Sequence, residues 1–463
     1  MTQQNLFFSP AVTAVLVVLQ LVIALLTIQY GVIIPAGLVA AGMLLYAFHN
    51  TFFGICLTIL VHAFLHSTET VNPLELYFGA SYVATIAGWL IQSIFYRQKK
   101  QVHSIPEGAL ALFLLICFAS LPISIMHGVP PLFWFRQLIP FLTYLLFFPL
   151  VQELNSRKRL NILLLCIVVV MILTGINTLL RYKAALESVT KLWEVLASRK
   201  TGNEPYFFVG SVSFATLFIY YSDLKRRLAF GILTAFFLVT LVVTFSRGYW
   251  VTALLALFII FVLVKPQLKM RMASYSIIGV LFAGLLASIL FGNFAESIIL
   301  QVGSRFSSLG QTRKDGSVQE RIAETVAVWE QIVQSPVVGH GIGAEFSYDS
   351  VINRQRITGP YVHNAYLSLV FKFGLIGLIS YLIFYLGMLR VAYITLMSLN
   401  NRRDWILLVI IFALLVAIIP LSISSPQLTQ KNSILLITIM LSIISYFYNT
   451  APDNTSNSGT DVR

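Results

Sequence analysis

An all-α, polytopic membrane protein is the fold class this sequence predicts, and three observations carry that prediction. Of the 463 residues, 58% are hydrophobic and only 11% charged, whereas soluble domains hold about 25% charged residues. Mean hydropathy is +0.84. Apolar runs long enough to cross about 30 Å of hydrocarbon as a helix recur from one end of the chain to the other. An outer-membrane barrel is excluded, because its strands would alternate polar and apolar over about ten residues.

The runs fall near 11–29, 31–48, 50–66, 79–96, 107–126, 132–151, 160–180, 206–222, 228–245, 248–264, 273–291, 366–395, 405–421 and 433–448. They predict about 12–14 membrane helices. The run at 364–396 exceeds one crossing and is expected to break near Gly374 or Gly377, where "FGLIGL" loosens the helix. The first ten residues carry no basic n-region, so the first run is expected to be a retained span.

Orientation follows from "RQKK" (97–100), "SRKR" (156–159), "DLKRR" (223–227), "KPQLKMRM" (265–272) and "NNRRD" (400–404). With alternating spans, all five fall on one side, which the positive-inside rule makes cytoplasmic together with both termini. The net charge of +13 is thus distributed between spans, and a nucleic-acid partner is not expected. Cys56, Cys117 and Cys166 lie inside apolar runs, with neither the spacing nor the companions of a disulfide framework or zinc site. No cofactor or metal is expected.

Two outer loops are long. In 181–205, Leu186, Val189, Leu192, Trp193 and Leu196 recur at helical spacing and predict an amphipathic helix on the interface. In 292–363, "SVQERIAETVAVWEQIVQSP" predicts a helix with Ile322, Val326, Trp329 and Val333 on one face, ended by Pro336. The expected organisation is an N-terminal bundle (1–291, including loop 181–205), a large outer loop (292–363), C-terminal helices (364–448) and a disordered cytoplasmic tail (449–463). A structured outer loop on a membrane scaffold is where chemistry is expected.

Five residues in this loop or near the outer ends of the spans carry candidate chemistry. His363 stands where the long loop meets the membrane run, after the Gly359-Pro360 turn, with Asn364 a candidate helix N-cap. An ordinary histidine exchanges a proton near neutral pH, so it can act as acid or base. Arg247, in the short outer turn "TFSRGYW", has two readings: snorkelling to lipid phosphate, or a bidentate clamp on a bound phosphate or pyrophosphate. Arg136 lies just inside its span and is expected to face the bundle or a polar cavity. Arg321, between Glu320 and Glu324, has a surface ion pair as its plainer reading. Lys372, in the run after His363, is expected to pair with a carboxylate.

"VVGHGIGAEF" holds the letters of a dinucleotide fingerprint at Gly339, Gly341 and Ala344, but a Pro-ended helix precedes it where a strand should. A tight turn with close backbone approach is the expected role, with His340 structural or at the surface. Carboxylates are nearly absent from the spans, which argues against a proton-coupled carrier.

"SRG" in a short outer turn, then "ER…W…SPVVGHGIGAEF", then "HNAYLSLVFKFGLIGL" resembles the O-antigen ligase / O-antigen polymerase superfamily of bacterial envelope proteins. The motifs span about 244–380, and the "P-x-x-G-x-G-x-G" turn with "H-N-x-Y-L" is their specific part. The resemblance implies a metal-independent inverting glycosyltransferase in the bacterial inner (plasma) membrane, its active site facing the periplasm. The implied donor is an undecaprenyl-pyrophosphate-linked glycan, and the acceptor a glycan or lipid-linked group. A flippase or chain-length regulator of the same pathway is a further implied partner, beside membrane lipids. The implied catalytic residues are His363 and Arg321, with Arg247 toward the pyrophosphate; Arg136, from its place near the outer end of its span, is a further candidate to bind the pyrophosphate. Lys372 departs from the pattern, since relatives often carry an acidic residue in that segment. Polymerisation of O-antigen, capsule or exopolysaccharide repeat units is the first expectation. Ligation of a finished glycan to lipid A core or protein is the second, and solute (for example inorganic-carbon) transport the third.

Overall fold

The computed structural model describes residues 33–62, 73–97, 104–187, 202–272, 295–307 and 316–451, with isolated positions between 273 and 294. The span expected at 11–29, nearly all of that at 273–291, most of the amphipathic stretch 181–205 and the tail after 451 lie outside the described residues.

The chain divides into two units, Met1–Lys99 and Lys100–Arg463. In the first, α1 (Ile33–His49), α2 (Thr51–His62) and α3 (Pro73–Ile91, continued by a π-turn Gln92–Arg97) pack closely. A Cβ on Gly88 would lie 2.1 Å from the carbonyl oxygen of Phe48, so glycine is what lets α1 and α3 touch. Small residues at helix contacts allow such approach where both partners are already apolar.

The second unit begins with α4 (Ile105–Met126), opened by a capping box in which Ser104 and Glu107 satisfy each other's backbone N–H groups. There follow α5 (Pro131–Leu142), a 3₁₀ turn (Thr143–Leu146) and α6 (Phe147–Glu153), then α7 (Arg157–Leu186), α8 (Glu204–Tyr220), α9 (Leu224–Val242) and α10 (Arg247–Leu263). Beyond them lie α11 (Ala295–Ser307), α12 (Gly316–Gln334), a hairpin of β1 (Phe346–Asp349) and β2 (Arg356–Gly359), α13 (Ala365–Ser398), α14 (Arg402–Ser424) and α15 (Lys431–Thr450). Among the described residues seven helices are long and apolar enough to cross a membrane. The chain is an all-α polytopic membrane protein, and among the described residues its long loop holds one small antiparallel hairpin.

Aromatic rings fill the joint between α4, α5 and α13. Phe113 meets Phe141, Tyr144, Phe373 and Tyr381 edge-on, the geometry favoured by ring quadrupoles. Tyr144 and Tyr381 share a 2.8 Å hydrogen bond between hydroxyls, and the Ser380 hydroxyl donates to the Ala109 carbonyl at 2.7 Å. These polar contacts fix how α13 sits against the 3₁₀ turn and α4.

The expected break in α13 is at Gly374, whose φ of 66° and ψ of −173° interrupt the helix. The helical ladder cannot continue across such a residue, and the freed groups must find partners. The glycine-rich loop after α12 supplies them. His340 N–H donates to the Phe371 carbonyl at 2.8 Å and Gly341 N–H to that of Lys372 at 3.0 Å. In return Leu375 N–H donates to the Pro336 carbonyl at 2.8 Å. Close approach was the expected role of these glycines, and Gly339 fills it: a Cβ there would lie 2.6 Å from the Gly374 nitrogen.

Candidate functional site

The site is assembled along α12. Residues 317, 321 and 324 fall on one face of a helix, because i, i+4 and i+7 share a side. Ser317 receives a hydrogen bond from the Arg247 guanidinium at 3.1 Å. That ties the first residue of α10 to the first turn of α12. About 10 Å further along the axis, Glu324 holds His363.

The Glu324 carboxylate grips His363 twice. One oxygen accepts from the backbone N–H at 2.6 Å and the other from Nδ1 at 2.5 Å. Glu324 is 2% exposed and His363 35% exposed, by side chain. The buried carboxylate therefore fixes both ring orientation and tautomer, with the hydrogen on Nδ1 and the lone pair of Nε2 available to a ligand. Asn364 caps α13 by accepting from Tyr366 and Leu367 N–H, which anchors His363 directly before the cap of a rigid helix.

Tyr361 packs edge-on against His363 with ring centroids 5.0 Å apart. Its hydroxyl is pushed up to about 12, by burial first, then by the charges of Glu324 and Glu204, with Arg321 pulling the other way. Arg321 and Glu204, the first residue of α8, thus both act on the ring beside His363.

Lys372 departs from expectation. It is buried, and its ammonium donates to the Pro360 carbonyl and the Ser368 hydroxyl, each at 3.1 Å. Both are neutral oxygens, where a carboxylate was expected. The four-carbon stem reaches back along α13 and fastens the Gly359-Pro360 turn that delivers His363.

Arg136 is exposed on α5, on the side away from the buried Trp134 and Leu138. It lies one turn on from Phe133, whose ring approaches Gly343. His340 is buried rather than at the surface: Nε2 meets the Gln331 carbonyl at 2.8 Å and Nδ1 meets His127 Nε2 at 3.1 Å. The structure holds His363 on Glu324, sets Arg321 three residues before Glu324 on the same helix, and ties Arg247 to that helix's first turn.

Sequence reasoning missed Glu324 as the partner of His363. The expected surface ion pair placed both glutamates in water, but both are buried. Glu320 accepts from the Tyr348 hydroxyl at 3.1 Å and from Val351 and Ile352 N–H at 2.8 and 3.1 Å. The run Glu320, Glu324, Val328, Ile332 is an i, i+4 series along one face, but nothing in the sequence marks that face, rather than the apolar one, as buried. Burial pulls the Glu320 carboxyl up, but hydrogen bonds from Ser350, Ile352, Tyr348 and Val351 outweigh it and leave the group below its ordinary value. A lowered folded value means the stabilisation is present above the ordinary carboxylate range and is lost as pH falls through the lowered value. Acidification should therefore loosen residues 346–359, read as faster proteolysis there. Glu320→Gln should show that faster cleavage at neutral pH and remove the acid dependence.

Residues 232–382, about a third of the chain, match the O-antigen ligase family model. The matched segment contains Arg247, α12, the hairpin and His363, and it supports the O-antigen ligase/polymerase superfamily. That family carries ligase- or polymerase-type membrane function with lipid-linked glycan and acceptor substrates. No curated protein matches the chain.

Proposed function

We propose that this chain is an inverting glycosyltransferase of the bacterial inner membrane that polymerises repeat units of O-antigen, capsule or exopolysaccharide. In this reading it works on the extracytoplasmic face, with an undecaprenyl-pyrophosphate-linked glycan as donor. The observation that carries the reading is the Glu324–His363 pair facing the same α12 surface that holds Arg321 and Arg247.

The chemistry suits those groups. Nε2 of His363 accepts the proton of an acceptor hydroxyl as that oxygen forms its bond to the anomeric carbon. The bond from the anomeric carbon to the pyrophosphate oxygen breaks, and the electron pair leaves with the lipid pyrophosphate. Arg321 and Arg247 stabilise the charge that gathers there, each with a fork of donors suited to phosphate oxygens. Arg136 is a further candidate for the same anion. The apolar donor tail explains why such an enzyme is embedded in a bilayer.

The test is incubation of purified protein with a lipid-pyrophosphate glycan. Ladders of product support polymerisation. A single transfer to added lipid A core or protein indicates a ligase, and no transfer with solute flux in liposomes overturns both. Arg321→Ala is expected to lower transfer by about 10²–10³-fold, the usual cost of removing one preorganised donor. Full activity in a folded Arg321→Ala protein would remove it from the mechanism.

A further inference from the structure

The face of α12 opposite the site has no role in the chemistry proposed above. Ile322, Val326, Trp329 and Val333 form a stripe along the helix, and Val337 and Val338 extend it. All six are 47–62% exposed. Contiguous apolar surface of this kind marks an interaction site, since water-facing surfaces seldom carry it. Thr325 and Glu330 border the stripe on its two sides and are exposed, which gives the helix an amphipathic section with polar edges.

What covers the stripe follows from where α12 ends. The Pro336 and Val337 carbonyls accept from Leu375 and Ile376 N–H at 2.8 and 3.4 Å. Leu375, Ile376, Ile379 and Ile383 are themselves exposed apolar residues of a membrane-crossing helix. The apolar surface is therefore continuous from that span, across Val337 and Val338, onto α12. Length fixes the level. At 34 residues, α13 would rise about 51 Å if unbroken, well beyond about 30 Å of hydrocarbon. The part after Gly374 rises about 36 Å and suffices, with tilt. The break, and the end of α12 bonded to it, thus stand near the hydrocarbon boundary. Trp329 lies two turns before that end, where tryptophan favours the headgroup level.

We propose that the Ile322–Val338 stripe is bedded in the bilayer leaflet on the site's side of the membrane. Membrane lipid then holds α12 from behind and sets the height at which Arg321, and His363 held by Glu324, meet any substrate. This holds whichever reaction the site performs.

The experiment uses the full chain in phosphatidylethanolamine/phosphatidylglycerol liposomes. Cys56, Cys117 and Cys166 are replaced by Ser, and single spin labels are placed at positions 322, 326, 333 and 330. Labels at 322, 326 and 333 are expected to collide several-fold more with oxygen than with an aqueous nickel chelate, most strongly at 333. The label at 330 should favour nickel. Nickel access at 326 and 333 equal to that at 330 would overturn the proposal, as would protection from both reagents, the mark of a second protein copy on the stripe. A native readout needs no label: brominated lipid should quench more fluorescence in the wild type than in Trp329→Phe. Equal quenching in the two overturns the placement of Trp329.

Discussion

Replacing His363 with Ala is expected to lower glycan transfer by about 10²–10⁴-fold, the range in which a positioned acid or base contributes. Folding should survive, because the ring is partly exposed and the backbone N–H that Glu324 also holds remains. Glu324→Gln separates catalysis from mere presence of the imidazole. An amide replaces one carboxylate oxygen by an NH2 that only donates, so it cannot accept from the His363 N–H and Nδ1–H on two separate oxygens as Glu324 does. The ring loses its fixed tautomer. Amidating an orienting carboxylate can cost as much as about 10⁴-fold, and His363, being part-exposed, should lose less. The fall is expected in kcat with KM little changed, since Glu324 acts through His363. Glu324→Asp should restore part of the rate. Transfer at the wild-type rate by folded His363→Ala protein would remove the proposed base and the role assigned to Glu324 with it.

Much of this architecture is legible in the sequence because the bilayer imposes a strict length and a strict polarity. The apolar runs at 366–395, 405–421 and 433–448 became α13, α14 and α15, each a few residues longer at its ends. The capping role of Asn364 and the break at Gly374 were both written in local chemistry. Which side of α12 would be buried was not. Periodicity finds an apolar stripe but cannot say whether protein, lipid or a partner covers it. Here the Ile322–Val333 stripe is exposed while Glu320 and Glu324 are inside. The carboxylates are stabilised there by N–H donors from residues 31 or more positions away, which no local pattern displays. The four-residue strands of the hairpin carry too little alternation to stand out in a loop. Lys372 escaped for a related reason: neutral oxygens, one of them a backbone carbonyl, leave no mark in the sequence.

The largest effect on folding is expected at Gly374. Its φ and ψ lie in a region essentially restricted to glycine. A Cβ there would also sit 1.9 Å from the Val337 carbonyl oxygen, which is backbone and cannot rotate away. Gly374→Ala should therefore cost at least about 3 kcal/mol, adding collision to conformational strain, and is expected to separate the glycine-rich loop from α13. Gly339→Ala attacks the same junction from the other side, with φ of 72° and a Cβ 2.6 Å from the Gly374 nitrogen. Gly359 is the control: nothing lies within 4 Å of its Cβ position, so Gly359→Ala should stay within about 0.5 kcal/mol of wild type. Thermal unfolding in detergent reads all three. If Gly374→Ala melts with the wild type, the interlock between loop and helix is not what holds α13 in its broken form. If it melts early, glycan transfer should fall further than stability alone predicts, because the loop that joins α12 to the break also fixes Glu324 opposite His363.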